Sequence, residues 1–225
     1  MTPRTATRFT TVRSALTLSP AEQEVCDDIH QLHALVLAGF NTQSETLCRP
    51  RGVLFAARRG APQRDRRTRL LAAQPERLLV QAPDAPVWEP LLASGRLVHA
   101  ETFPVEHVFA TGDIIDVQVS VNPVMRSFST RRRVSLTAPD DASRWLQRHL
   151  VRGGLETALD QIHPGQGIHV VGTRARSGDR ITVVYRNMTA RCRVLAPDTL
   201  KQAMTEGLGP AKAYGCGLLR VRHAA

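Results

Sequence analysis

The chain has 225 residues, 42% hydrophobic and 22% charged, which suits one large domain or two small ones and excludes wholesale disorder. Lysine plus arginine number 30 against 20 acids, a formal charge of +10 that points away from acidic solvating proteins and toward a polyanionic partner. No run approaches the ~18 apolar residues that span a bilayer, MTPRTATRFTTVRS lacks the apolar core of a secretory signal, and Cys26, Cys48, Cys192 and Cys216 form no CxxC pair, so no membrane, no disulfide scaffold and a reducing cytoplasm are expected.

In chain order, Arg8 to Leu18 alternates as a first strand. After Ser19-Pro20 a helix is expected to Gly39, with Ile29, Leu32, Val36 and Leu37 at helical spacing. Gly52 to Ala57 and Arg77 to Gln81 read as strands, Val87 to Ser94 as a short helix, and Leu97 to Phe103 as a strand closed by Pro104. The second half repeats the order loosely. Ile114 to Val121 and Arg133 to Thr137 read as strands, and Pro139-Asp140-Asp141 as the cap of a helix through Leu150. Ile168 to Thr173 and Ile181 to Tyr185 flank the turn signal Ser177-Gly178-Asp179, and Met188 to Leu195 extends that sheet. Pro197-Asp198 opens a last helix to about Glu206, and Gly217 to Val221 is the final strand. Two βαββαβ passes in series predict an α+β protein of two tandem ferredoxin-like domains, the shape shared by RNA-recognition modules. The expected division is an N-terminal domain over 1–105 and a C-terminal one over 112–225.

The most specific string runs from Gly207 to Leu219, with Gly207, Gly209, Gly215 and Gly217 around Lys212. Glycine lets backbone N–H groups approach a ligand, and consecutive N–H groups form an anion-binding concavity that Lys212 would reinforce. Ala211 precedes Lys212 and no Ser or Thr follows, so this is not a Walker loop, nor is it GxGxxG. The alternative is a packing corner between a helix and a strand. The segment resembles the C-terminal signature of the CRISPR-associated repeat-RNA endoribonucleases of the type I-E Cascade system, the CasE family. Gly207, Gly209, Lys212, Tyr214, Gly215, Gly217, Leu218 and Leu219 fit its pattern. Val121-Asn122-Pro123 followed by Arg131-Arg132-Arg133-Val134 resembles the family's Asn-Pro and basic strand, and Ala142 to Leu146 through Gly153-Gly154 its Trp-Leu helix. The resemblance covers the whole chain in order and implies two ferredoxin-like domains.

His30 and His33 lie early in the first helix, about 60° apart around it, so their imidazoles share a face. Histidine titrates near pH 6.5, so one ring can be neutral and its neighbour protonated at neutral pH. Cleavage of RNA by its own 2′-hydroxyl needs such a base and such an acid, with no metal cofactor and with 2′,3′-cyclic phosphate and 5′-OH products. Two structural helix histidines are the plain alternative, and a Cys26, His30, His33 metal site is another that lacks a fourth ligand. The resemblance implies that His33 matches the family's histidine near the start of this helix and that His30 stands where Tyr is frequent. Ala34 and Ala38 occupy positions often basic in the family, so phosphate support falls to the arginine-rich loop or to Lys212.

Arginine supplies 28 of the 30 cationic residues. It forks phosphate bidentately, although a GC-rich genome also favours it. Residues 49–69 hold eight arginines and one acid, either a phosphate-binding arm or a solvated basic loop. Arg174, Arg176 and Arg180 flank the hairpin turn, where the family resemblance implies a basic finger on the repeat stem-loop; Arg131, Arg132 and Arg133 form a second RNA-binding cluster. Aromatics are 4%, too few for a stacked single-strand platform, so a hairpin recognised by charge and shape fits better. The expectation is an endoribonuclease on CRISPR repeat RNA, monomeric when free, that stays with other Cascade subunits. A non-catalytic RNA-binding subunit of the same superfamily is the alternative, and a basic nucleic-acid-binding protein unrelated to defence is a third class.

Overall fold

The first strand, β1 (Ala6–Leu18), alternates buried and open positions along much of its length, as a half-buried strand must. The computed structural model describes residues 6–40, 52–60, 63–64, 71–72, 74–127, 129, 131–173 and 177–224. After β1 come α1 (Pro20–Val25), α2 (Ile29–Ala38), β2 (Leu54–Arg59), the two-residue pair β3 (Gln63–Arg64) and β4 (Leu71–Ala72), β5 (Pro75–Ala82), α3 (Glu89–Ala93) and β6 (Leu97–Ala110). The second half holds β7 (Ile114–Val121), the small hairpin β8 (Val124–Arg126) and β9 (Arg133–Ser135), α4 (Pro139–Arg152), β10 (Leu155–Glu156), β11 (Ile162–Thr173), β12 (Arg180–Val194), α5 (Pro197–Glu206) and β13 (Leu219–His223).

The first sheet has the antiparallel order β2-β5-β1-β6. The second has β10-β12-β7-β13, with β11 also pairing β12. In both, the first and third principal strands are central and the second and fourth are outer, so each half is ferredoxin-like. One core packs Leu16, Leu32, Leu35, Phe55, Leu78 and Trp88, joining α2 to the first sheet. Another joins Val117, Val119, Trp145, Leu146, Met188 and Met204 in the second half and takes in Phe9 and Phe109 from the first. A smaller cluster of Ile29, Ile168, Val170, Val183, Tyr185 and Cys216 bridges α2 and the β11–β12 hairpin.

Several local expectations change. The single helix expected up to Gly39 is two, because Asp28 turns out of the helix and caps a new one. Cys26 falls in that break, buried against the first core, and does not share a helical face with His30 and His33. Gly39 does end α2, but with φ of −71°; a Cβ there would run into the Trp88 ring, so packing is what demands glycine. Pro104 does not close β6, which continues to Ala110 opposite β1. It is an outer strand, where a missing N–H costs no ladder bond. Arg133 returns in the separate β8–β9 hairpin rather than in the main sheet. The capping position of α4 is Ala138, without a side-chain bond; Asp140 and Asp141 sit in the first turn, where the helix dipole favours them.

His107 on β6 is buried between the rings of Phe9 and Phe109, at centroid distances of 4.9 and 6.0 Å, with Nε2 3.1 Å from Thr11 Oγ1. Burial first, and the Arg13 charge second, lower its pKa to about 4. The unfolded chain therefore takes up a proton between about pH 6.5 and 4 that the folded chain refuses. Stability is complete above that window and falls as the pH drops through it. His107→Gln is expected to flatten this acid loss in urea unfolding at stepped pH; the same slope in both proteins would contradict the assignment.

Candidate active site and basic surface

The histidine helix is fixed from its first turn. Asp28 is its N-cap, and its Oδ1 accepts from the amides of His30 at 2.7 Å and Gln31 at 3.3 Å. The other carboxylate oxygen accepts from the Thr173 amide at 2.9 Å, at the end of β11. One side chain therefore caps α2 and ties it to the hairpin of the second half. The close approach has a steric condition. A Cβ on Gly172 would lie 2.8 Å from Asp28 Oδ1 and 3.0 Å from the His30 nitrogen. Ile29 is fully buried under the same junction with Tyr185, whose hydroxyl donates to the Ala57 carbonyl at 3.1 Å.

His33 is half-buried one turn along. Its ring meets Tyr214 edge-on, at a centroid distance of 6.2 Å and 69° between planes. His33 and Lys212 line one small cavity of about 130 Å³ whose floor includes Val36, Val53 and Phe55. An imidazole and an ammonium on one half-enclosed surface can move a proton and hold an anionic oxygen. His30 is also half-buried, but it does not line that cavity, and its Nδ1 is enclosed with no hydrogen-bond partner among the described residues. Cys26, Cys192 and Cys216 are each pushed up to about 12, chiefly by burial, so these thiols stay protonated and offer no nucleophile.

The glycine segment is built differently from an anion cradle. The amide of Gly207 donates to Ala203, that of Gly215 to Lys212 and that of Gly217 to Ser120. These three N–H groups are committed to backbone acceptors and are not available to a phosphate. A Cβ on Gly209 would meet the Trp145 ring at 2.6 Å. Gly217 is left-handed, with φ of 90°, and a Cβ there would lie 2.6 Å from the Leu208 carbonyl oxygen. At Gly207, Gly215 and Gly217 the segment is a packing corner. What it delivers to the site is Lys212 and Tyr214, on the 3₁₀ turn over Lys212–Tyr214.

Arg180 opens β12 directly opposite Thr173, so it is exposed at the hairpin base beside the start of α2. Arg174 and Arg176 lie outside the described residues, as do Arg49, Arg51 and Arg66, Arg67 and Arg69 of the arginine-rich stretch. Arg131, Arg132 and Arg133 are exposed on the β8–β9 turn, where Arg131 is left-handed with φ of 53° and its carbonyl accepts from Arg126 Nε. They belong to a hairpin of their own and do not line the His33 cavity. The structure thus brings His33, Lys212 and Tyr214 together, leaves His30 one turn earlier on the same helix and outside their cavity, sets Arg180 opposite Thr173 at the hairpin that Asp28 ties to that helix, and places the triple arginine elsewhere. Asp28 and Gly172 escaped the sequence reading. The signal for Asp28 was present, since Asp followed by an apolar helical run is a capping pattern; Gly172 has none, because its constraint comes from a helix 142 positions earlier in the chain.

A family model described as CRISPR associated protein matches residues 11–223. The CRISPR-associated endoribonuclease Cse3 of Thermus thermophilus is 28% identical over 159 residues, covering 66% of this chain and 74% of that protein. Among solved structures, Thermus thermophilus Cse3 bound to an RNA representing a pre-cleavage complex matches with a TM-score of 0.73 at 23% identity, over 95% of this chain and all of that one. Cse3 bound to a 19-nucleotide RNA gives 0.72 at 25% identity, over 95% and 99%. A chain of a CRISPR RNA-guided surveillance complex gives 0.57 at 17%, over 98% and 100%, a likeness of fold.

Asp28→Ala is expected to cost about 1–2 kcal/mol in stability through the lost cap. It should also raise hydrogen exchange at the amides of His30, Gln31 and Thr173 together. Unchanged exchange at Thr173 would show that the carboxylate does not tie the two halves.

Proposed function

The chain belongs to this family of CRISPR-associated proteins, and from that premise we propose that it is a metal-independent endoribonuclease that cuts CRISPR repeat RNA beside its stem-loop. The kinship with Cse3 supports an RNA endonuclease engaged in CRISPR RNA processing. The observation that carries the finer reading is the shared cavity of His33 and Lys212, held at the junction of the two halves.

In the proposed reaction a histidine accepts the 2′-hydroxyl proton, and the 2′-oxygen attacks the adjacent phosphorus. The bond to the 5′-oxygen breaks, and that oxygen leaves with a proton from an acid. The products are a 2′,3′-cyclic phosphate and a 5′-OH. His33 takes one proton-transfer role and His30 the other. The Lys212 ammonium faces the charge that builds on the phosphoryl oxygens. Burial of the thiols of Cys26, Cys192 and Cys216 and the presence of two imidazoles on one capped helix favour this route over a covalent enzyme intermediate.

The substrate is gripped from the C-terminal half. Arg180, with Arg174 and Arg176 of the same hairpin, engages the stem-loop phosphates, and Arg131, Arg132 and Arg133 extend the contact. Such contacts position an A-form stem by shape and charge rather than by reading bases. The product stays bound as a subunit of the surveillance complex with the other Cascade proteins. The alternative, a non-catalytic RNA-binding subunit, predicts binding without scission.

His33→Ala is expected to lower single-turnover cleavage by at least about 10²-fold while hairpin affinity changes little. EDTA should leave wild-type cleavage intact, and a 2′-deoxy residue just upstream of the cut should block it. Lys212→Gln should reduce the rate by about 10²-fold. Full activity in the His33 variant, or loss of activity in EDTA, would overturn the mechanism.

A further inference from the structure

Away from the His33 cavity, a cleft opens between the two sheets. A cavity of about 660 Å³ between β1 and β5 on one side and β7, β12 and β13 on the other shares Leu79, Gln118 and Arg220 with a second of about 350 Å³. The combined lining holds Arg13, Arg191, Arg220 and Arg222 in the larger part and adds Arg58, Arg59 and Arg77 in the smaller. Asp116 is the acid among the lining residues, and it is already engaged by Arg191 at 3.0 Å and Arg222 at 3.3 Å.

The inner pair lacks any such counter-charge among the lining residues. Arg13 is only 8% exposed, and its Nε and Nη2 both donate to the neutral Gln81 Oε1 at 3.1 Å. Gln81 is itself held by the Met204 carbonyl, so the Arg13 guanidinium is aimed rather than loose. Arg220 faces it with an enclosed Nε that has no partner among the described residues. Burial and the Arg220 charge push Arg13 down, and burial does the same to Arg220. Two crowded guanidinium groups with no acid between them are costly in an empty cleft and favourable around an anion. The lining has no phenylalanine, tyrosine or tryptophan, so bases find little stacking surface and recognition falls to phosphate. The volume is that of a small-ligand site, which admits a single strand and not a duplex.

We propose that this inter-sheet cleft is a second RNA site, which takes the phosphate backbone of an unpaired strand continuous with the hairpin substrate. It rests on the reading that the substrate is RNA. The test uses the full chain and two 2′-deoxy-blocked probes, a bare stem-loop and the same stem-loop with an unpaired extension. The extended probe is expected to bind about tenfold more tightly, and Arg77→Glu and Arg220→Gln should each remove most of that advantage while leaving the bare probe unchanged. Each lost contact should lower the slope of log affinity against log salt by about 0.7. Arg220→Gln should also raise the melting temperature without RNA, because it relieves the Arg13 repulsion; a merely structural arginine would give the opposite sign. An extension that adds no affinity, while the bare stem-loop still binds and its unblocked form is cut, overturns the cleft alone. Failure to bind either probe overturns the underlying reading as well. Stabilisation by inorganic phosphate with no effect of the extension assigns the cleft to a free anion and overturns the strand.

Discussion

The Asp28 carboxylate holds the site together. One of its oxygens closes the first turn of the histidine helix and the other takes the last amide of β11. Without it the helix would start by fraying, and the side-chain bond that fixes its distance from the second half would be gone. The approach works because Gly172 has no Cβ and because Ile29 fills the apolar cluster beneath. Directional bonds set the orientation there, and burial of the cluster supplies the cohesion. His33 can then meet a lysine that lies 179 positions away in sequence.

The cationic surface divides by function. Lys212 is a point charge inside a small cavity with an imidazole, suited to an oxygen that gains charge during a reaction. Arg180, at the start of β12, is exposed, suited to phosphates of a folded stem. Arg13 and Arg220 between the sheets are crowded and partly buried, a condition that solvated surface arginines do not meet. A net charge of +10 is thus spread over places with different physical roles, and composition alone does not separate them.

Much of the architecture was legible because the signals are local. Ile114–Val121 alternates with a period of two, and the turn at Ser177-Gly178-Asp179 joins the strands β11 and β12 as expected. The two passes of βαββαβ emerge from element order alone. The misses are nonlocal. Pro104 sits in a strand because that strand is an outer one, a fact of sheet order. The glycines of the C-terminal signature are shaped by Trp145, Phe55 and Leu54 pressing on them, neighbours from other parts of the chain. Spacing there pointed to a phosphate cradle, whereas backbone acceptors take the amides of Gly207, Gly215 and Gly217. The histidines were visible as a pair, but their unequal surroundings were not: His33 opens to the Lys212 cavity, and His30 Nδ1 is enclosed.

The central claim is that the His33 imidazole and the Lys212 ammonium receive the scissile phosphate between them. A crystal structure of the protein with a hairpin RNA made uncleavable by a 2′-deoxy residue tests it most directly. The account predicts the scissile phosphate in the His33 cavity, with the imidazole within about 3–3.5 Å of the 2′-carbon or 5′-oxygen position and Lys212 on a non-bridging oxygen. A scissile phosphate seated on another face, with that cavity empty, would contradict it.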